Sequence, residues 1–166
     1  EAGPVEHIAE LCSALHPIAQ EHGGALIGIC QTEHGLRFQY LLGSQTSKLN
    51  EVEHALRFAN AAREELGTSF PESKIRGSIG YGHAWQGQYG SKQFKLFNAH
   101  GREINLAARV LQQTSFDMVC ISANAREQLN DKRHVVDHGT LKVKGESAAI
   151  RVYRVPEANS ACEQVQ

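Results

Sequence analysis

Two polar side chains, Asn105 and Arg109, stand one helical turn apart in the segment GREINLAARVLQQ, residues 101–113. Residues four apart lie above one another on a helix, with about 5–6 Å between their Cβ atoms, so both can reach one ligand. An amide suits a ribose oxygen, and a guanidinium suits the charge on a phosphoryl oxygen. The pair therefore indicates contact with a nucleotide, although two solvated residues on an outer helix face would show the same spacing.

The apolar residues of the same segment predict how this helix packs. They recur at i, i+3, i+4 and i+7, which is the spacing of a core-facing stripe: Ile104, Ala107, Ala108 and Leu111. At the entrance of the helix, Gly101 is expected to let the preceding loop turn tightly into the first turn. The helix would then pack by its aliphatic side and present Asn105 and Arg109 on the other.

The rest of the chain alternates helices and strands. Helical spacing predicts helices over 5–22, where Pro17 would kink or split the helix, and over 48–66. A hairpin is predicted over 25–42, and Ser122 is expected to cap a short helix. Further strands are predicted at the start of 74–90, at 93–99, at 117–121 and as a pair around a Gly145 turn. This order predicts one α+β domain over 1–155, a mostly antiparallel sheet with helices packed on one face, followed by a polar tail, 156–166.

Composition excludes several classes of protein. The chain has 166 residues and a net charge of -1, so no overall field favours nucleic acid as a partner. No apolar run is long enough to span a bilayer, and the first ten residues lack the pattern of a signal peptide. The four cysteines are scattered, with no CxxC pair that would indicate a metal site. We therefore expect a cytoplasmic location and reduced thiols.

Five segments together resemble the catalytic domain of the class III adenylyl and guanylyl cyclases. They are HGG (22–24), the hairpin 25–42, IRGSIGYGHAWQGQYG (75–90), GREINLAARV (101–110) and LKVKG (141–145). The most specific is the helix motif of that family, G-x-x-V-N-x-A-x-R, which Gly101, Ile104, Asn105, Ala107 and Arg109 fit. The resemblance spans residues 5–155 and implies a ferredoxin-like sandwich.

The resemblance also implies a reaction and a role for three residues. These cyclases work as dimers with active sites between two domains, where the ribose 3'-hydroxyl attacks the α-phosphate of ATP or GTP and pyrophosphate leaves. Asn105 and Arg109 would be the pair that stabilises the transition state across the interface, and Lys144 would bind phosphate. Asn98 falls at a position that reads the base, without the lysine that adenylyl cyclases use, so the choice between ATP and GTP stays open.

The metal half of the family's site is not present in this sequence. The family holds two metal ions with two aspartates, one on a strand before the first helix and one in the hairpin turn. The given residues begin at that helix, and the turn reads QTEHG, with Glu33 as the single weak candidate for a metal ligand. No aspartate precedes Asp117. We therefore expect no cofactor for the chain alone, with Mg²⁺ or Mn²⁺ and a nucleoside triphosphate bound only where a partner completes the site.

Two functions follow as hypotheses. One is a cyclase-homology domain that is not catalytic alone and serves dimerisation, regulation or nucleotide sensing. The other is one half of a heterodimeric cyclase whose partner brings both aspartates. An active homodimer completed by an upstream strand is a further alternative. An open sheet edge where that strand would lie favours pairing with another chain, and Trp85 is expected to pack in an interface or in the core.

Overall fold

The structure is a computed structural model that describes residues 4–44 and 50–157. The predicted tail beyond 157, the start of the second predicted helix and Cys162 lie outside the described residues. The helices are α1 (Pro4–Glu21), α2 (Glu51–Ser69), α3 (Arg102–Gln113) and α4 (Ala123–Glu127), with a 3-10 turn at Lys132–His134. The strands are β1 (Gly24–Thr32), β2 (Gly35–Leu42), β3 (Gly77–Ile79), β4 (Trp85–Gly90), β5 (Lys95–His100), β6 (Val119–Ser122), β7 (Val136–Leu141) and β8 (Ile150–Val155). The α+β class predicted from the sequence is confirmed.

The first two helices follow the predicted spacing, with two differences. In α1, Leu11, Leu15 and Ala19 are buried at four-residue intervals, and the helix continues through Pro17 without being split. In α2, Gly67 does not end the helix, which continues to Ser69 and closes where the Phe70 amide donates to the Leu66 carbonyl at 2.8 Å. A glycine lowers helix stability without forbidding the helix, so packing of the apolar side decides the end.

Two hairpins stand apart from the main sheet. The antiparallel pair β1–β2 contains a bulge between Leu26 and Gly28, and its turn uses Gly35 at φ 109°, a conformation that favours glycine. The second pair, β4–β5, joins Trp85 to His100 and Gly90 to Lys95 in register. The glycine-rich segment was predicted to begin as a strand, and it forms β3 and then β4.

The largest sheet has four strands in the order β3-β6-β8-β7. The β3–β6 pair is parallel, whereas β6–β8 and β7–β8 are antiparallel. The strand β6 is buried along its whole length. Ser122 ends this strand and caps α4 as predicted, since its Oγ accepts the Ala125 amide at 3.2 Å.

The helices cover both faces of this sheet, whereas the sequence predicted one face. Val119 and Ile121 of β6 pack against α2, in a core with Val52 and Leu56. The residue between them, Cys120, packs against α3, in a second core that contains Leu106, Val110, Val143 and Val152. Successive side chains on a strand point to opposite faces, so α2 and α3 lie on opposite sides of β6. The strand β6 is apolar at both sets of positions, which is why each of its faces is covered by a helix.

The apolar stripe predicted for α3 is not its core face. Leu106 and Val110 are the buried residues of this helix, at 5% and 1% exposure. The predicted stripe is only half-buried and lines an open cleft: Ile104, Ala107, Ala108 and Leu111. The helix therefore has two apolar sides, and periodicity alone could not tell which one the sheet would take.

This cleft has a volume of about 1050 Å³ and lies between β2 and β3. Its walls include Leu11 and Leu15 of α1 and Ala55 and Phe58 of α2, beside the stripe of α3. Burial raises the pKa of the Tyr40 phenol in its β2 wall to about 12, with a smaller contribution from Cys12. The cleft separates the β1–β2 hairpin from the four-stranded sheet.

The central position of β6 predicts a large cost for truncating its side chains. Ile121 is fully buried, so Ile121→Ala should lower the free energy of unfolding by about 2–5 kcal/mol through lost burial and a residual cavity. Chemical denaturation measures this loss. Val5, which is 77% exposed on α1, is the matched control, and Val5→Ala should change stability by less than about 0.5 kcal/mol. Equal losses at the two positions would contradict the assigned core.

Candidate functional site

The start of α3 is held by close packing against the glycine-rich loop that follows β3. Gly101 has φ 178°, which is extended backbone, so it does not make the tight turn that the sequence suggested. A Cβ there would instead stand 2.8 Å from the His83 carbonyl oxygen. Gly80 is similarly close, since a Cβ there would stand 3.1 Å from the Glu103 carbonyl oxygen. These glycines allow the loop and the helix to approach, and so set where the polar side of α3 lies.

Asn105 and Arg109 lie on α3 as predicted. Asn105 is exposed. Its backbone N–H closes the first helical turn by donating to the Gly101 carbonyl at 3.3 Å. Arg109 is half-buried, and its guanidinium extends over the turn between β7 and β8. A Cβ added to Gly145 would meet the Arg109 Nη1 at 2.8 Å. Arg109 therefore reaches the turn that carries Lys144.

The segment 142–149, between β7 and β8, is tied to α3 at both ends of the helix. At the start, Arg102 donates to Glu146 with an Nη2–Oε2 distance of 2.7 Å and to Glu103 at 2.8 Å. The hydrogen bond that Arg102 donates to Glu146 is the main reason that the pKa of the Arg102 guanidinium is raised. At the end, the Gln113 side chain donates to the Lys142 carbonyl at 2.7 Å. These contacts place the turn of Lys144 and Gly145 alongside the polar side of α3.

The structure thus places Arg109 against the turn that carries Lys144 and Gly145. Asn105 lies one helical turn before Arg109 on α3, and Lys144 is exposed on the β7–β8 turn. Two cationic groups and an amide on one surface suit an anionic ligand that also offers hydroxyl oxygens. We refer to this surface as the α3 surface.

Asn98 has a different position. It lies on β5 opposite Gly87, and its Oδ1 accepts the backbone amide of Ala99 at 2.7 Å. This acceptor is therefore engaged within the strand. The assignment of Asn98 to a base stays a prediction from the resemblance.

Glu33 does not make a convincing metal ligand. It lies in the β1–β2 turn with its side chain 85% exposed, and it pairs with His34 at 3.3 Å. Within residues 4–44 and 50–157, no group of three or more His, Cys, Asp or Glu side chains is arranged to hold a metal ion. The two-metal site implied by the resemblance does not fit these residues, because Mg²⁺ and Mn²⁺ prefer several carboxylate oxygens in one array.

The hairpin β4–β5 carries large apolar side chains in solvent. Trp85 is 83% exposed, Phe94 67%, Leu96 52% and Tyr89 40%. Trp85 is therefore not part of the core, one of the two positions expected for it. Contiguous exposed apolar residues mark sites of interaction with other molecules. We refer to these four residues as the hairpin patch.

Comparison with known proteins identifies the fold. No protein-family model matches the sequence, and no curated protein matches it as a relative. Among solved structures, the adenylyl cyclase CyaB from P. aeruginosa matches with a TM-score of 0.70 and 18% identity, over 93% of this chain and 82% of that chain. The guanylate cyclase domain of RhGC from Catenaria anguillulae, solved with GTP, matches with a TM-score of 0.75 and 20% identity, over 90% and 81%.

A third similar structure is the guanylyl cyclase domain of the RhoGC fusion protein from the aquatic fungus Blastocladiella emersonii. It has a TM-score of 0.72 and 19% identity, over 94% of this chain and 86% of that chain, and is described as a non-canonical dimer. The chain has the fold of the class III adenylyl and guanylyl cyclase catalytic domains, as its motifs predicted. Among the helices in the described ranges, none has the length and hydropathy to cross a membrane.

The sequence did not reveal the contacts that organise the α3 surface. The bond between Arg102 and Glu146 joins residues that are far apart along the chain, and neither residue stands in a motif that would mark the pair. The approach of Arg109 to Gly145 had one usable signal, a glycine directly after the predicted phosphate lysine. The sequence placed that glycine in a turn, and only the tertiary structure shows the guanidinium above it.

The Gly145 contact predicts a specific effect of adding a methyl group. Gly145 and Gly139 both have left-handed backbone, at φ +83° and +89°, so alanine at either position should cost about 1–2 kcal/mol of stability. Only Gly145→Ala places a Cβ against Arg109, whereas a Cβ at Gly139 would meet no atom within 4 Å. We expect the Arg109 side-chain NMR resonances to shift in Gly145→Ala alone. Equal shifts in Gly139→Ala would contradict the contact.

Proposed function

We propose that this chain is a cyclase-homology domain that binds a nucleoside triphosphate on its α3 surface and is not catalytic alone. The observation that carries the proposal is the meeting of Arg109 with the turn of Lys144, one helical turn from Asn105. In this function the domain senses or holds the nucleotide and regulates a dimer with another cyclase-type domain.

The chemistry of the α3 surface supports binding of phosphates. The planar guanidinium of Arg109 can donate two parallel hydrogen bonds to a phosphate, and Lys144 adds a point charge at the adjacent turn. The exposed amide of Asn105 can donate to a ribose oxygen and accept from a ribose hydroxyl. One structural neighbour, the RhGC domain, was solved with GTP, which is consistent with a nucleotide as the ligand.

The absence of a metal-binding array supports a domain that is incomplete by itself. Glu33 is exposed and paired with His34, and no group of three or more His, Cys, Asp or Glu side chains among the described residues is arranged to hold a metal ion. The charges on the α3 surface would stabilise a bound triphosphate without providing the groups that activate a ribose hydroxyl. Binding and regulation are therefore better supported than turnover by the isolated chain.

The hairpin patch supports a second domain as the partner. Trp85 and Leu96 expose apolar area that a dimer would bury, and aromatic residues are frequent anchors of protein interfaces. A partner on this hairpin would lie next to β5, the strand that leads directly into Gly101 and α3. The partner is another cyclase-type domain, either a second copy or a different chain.

The same trio supports an alternative, that the chain is one half of a heterodimeric cyclase. Asn105, Arg109 and Lys144 match, by position in the family motifs, the groups that one domain contributes across the interface. The partner would then bring the carboxylates for the metal ions. A partner domain with two such carboxylates should in this case produce cyclic nucleotide in an Arg109-dependent way.

Nucleotide binding tests the proposal directly. Arg109→Ala should weaken the binding of ATP or GTP by about 10–100-fold, because it removes charge-assisted hydrogen bonds to phosphate. Isothermal titration calorimetry with each nucleotide measures the change. The matched control is Arg57→Ala, which removes the same charge from an exposed site on α2. Equal weakening by the two variants would mean that binding reflects charge alone and would contradict a site on α3.

A cyclase assay of the isolated chain with ATP and GTP in Mn²⁺ tests whether the chain is an active cyclase by itself. Neither the nucleotide-binding domain nor the half of a heterodimeric cyclase should form product in this assay. We expect no cyclic nucleotide from the wild type. Product that disappears in Arg109→Ala would overturn the proposal of a domain that is inactive alone. Product that appears only after addition of a carboxylate-bearing partner domain would favour the heterodimeric alternative.

The hairpin patch predicts the surface of association. Replacing Trp85 and Leu96 with serine should weaken self-association or association with a cyclase-type partner by at least about 10-fold, since both side chains lose buried apolar area. Sedimentation equilibrium over a range of concentrations measures it. Val5→Ser, at an equally exposed valine on α1, should have no effect. An unchanged dissociation constant in the double variant would place the interface elsewhere.

A further inference from the structure

The β7–β8 turn is tied to α3 by different contacts before and after Lys144. Before it, Val143 is 2% exposed in the core shared with α3, and the Lys142 carbonyl accepts from the last residue of that helix at 2.7 Å. After it, residues 147–149 are exposed. Among the described residues that follow Lys144 in the turn, Glu146 alone bonds its side chain to α3. The position of the later half of the turn therefore depends on Glu146.

The carboxylate of Glu146 is largely buried and is paired with an exposed cation. Its side chain is 17% exposed, and its Oε2 accepts from the Arg102 Nη2 at 2.7 Å. The Nη1 of the same guanidinium donates to Glu103, whose side chain is 13% exposed, at 2.8 Å. Arg102 thus bridges two carboxylates through the fork of its guanidinium. A largely buried carboxylate that loses its cation moves toward water, and Glu146 would then draw the turn away from α3.

Arg109 and Lys144 differ from Arg102 in having no partner of this kind. Within residues 4–44 and 50–157, neither the guanidinium of Arg109 nor the ammonium of Lys144 donates to a protein acceptor or pairs with a carboxylate. A Cβ added to Gly145 would stand 2.8 Å from the Arg109 Nη1, so the guanidinium lies over the backbone of the turn. These two cations belong to different elements, and the distance between them depends on how the turn is held.

We propose that Arg102 is a positioning residue of the α3 surface. Through Glu146 it holds the β7–β8 turn where Lys144 and Arg109 bind the phosphates of one nucleotide. Its own guanidinium is occupied by two carboxylates and does not contact the ligand. Holding the turn in place before binding lowers the entropy cost of bringing the two cations to one anion. This inference rests on the proposed function and adds the device that sets the affinity of the same site.

Charge and position predict opposite results when Glu146 is changed. Removing a carboxylate near an anionic ligand tightens binding if charge alone matters. Glu146→Met keeps the side-chain length but removes the acceptor for Arg102, so ATP and GTP should bind at least about 5-fold more weakly than to the wild type. Glu146→Gln removes the same charge but keeps a carbonyl oxygen that accepts from Arg102, so its affinity should stay within about twofold of the wild type. Isothermal titration calorimetry with each nucleotide measures both.

The double variant Arg102→Met/Glu146→Met gives a second test that does not depend on one substitution. It removes one charge of each sign, so charge alone predicts an affinity near that of the wild type. The position of the turn is lost in the double variant, so we expect binding at least about 5-fold weaker than wild type and no weaker than in the weaker single variant. Replacement of an ion pair by apolar side chains is usually tolerated by the fold.

Two controls separate a local effect from a general one. Glu127→Met removes a carboxylate of α4 that pairs with Arg126 and Lys132, and it should leave the affinity within about twofold of the wild type. In the protein without nucleotide, backbone NMR order parameters of Lys144 and Gly145 should fall in Glu146→Met and not in Glu146→Gln. Order parameters of β6 should stay the same in all variants, which shows that the core is intact.

Each result of these titrations decides the inference. Unchanged or tighter binding by Glu146→Met would overturn it, as would equal affinities of the Met and Gln variants or a double variant with wild-type affinity. If the wild type binds nucleotide and Arg109→Ala weakens it while Glu146→Met does not, this inference fails and the proposed function stands. If the wild type binds neither ATP nor GTP, the proposed function fails and this inference fails with it.

Discussion

The burial of β6 on both faces is the constraint on which the rest of this structure depends. Val119 and Ile121 require the apolar side of α2, and Cys120 between them requires α3. A strand of four buried residues, all with exposures of 6% or less, can be satisfied only by helices on both sides of the sheet. That requirement sets the position of α3 relative to the sheet, and α3 carries Asn105 and Arg109.

Packing on β6 turns α3 into a platform with three distinct sides. Leu106 and Val110 anchor it to the sheet, a second apolar side faces the cleft, and the polar side faces the β7–β8 turn. The glycine-rich loop can lie against the start of the helix because no side chain separates them. The salt bridge between Arg102 and Glu146 and the hydrogen bond from Gln113 then hold the turn alongside. Backbone packing thus sets the arrangement of the α3 surface. The ion pair between Arg102 and Glu146 then fixes the orientation of the β7–β8 turn relative to α3.

The chain combines the cyclase fold with only part of the chemistry that the family motifs imply. The cationic surface is assembled within one domain, whereas the described residues contain no carboxylate array for metal ions. The hairpin patch on β4–β5 and the cleft beside β3 both expose apolar side chains to solvent.

The sequence by itself determined the order of elements, the α+β class, the hairpins, the Ser122 cap and the family resemblance carried by the helix motif, because these depend on local periodicity and on spacing within short segments. It did not determine which apolar side of α3 enters the core. Ile104 and Val110 are both aliphatic, and only the structure shows that Val110 packs in the core whereas Ile104 lines the cleft. It also assigned Gly101 to a turn, although the glycine serves the close approach of the His83 carbonyl. Those outcomes, and the meeting of Arg109 with the turn of Lys144, depend on contacts between distant segments. Tertiary packing decides these outcomes, because it depends on all of these long-range contacts at once.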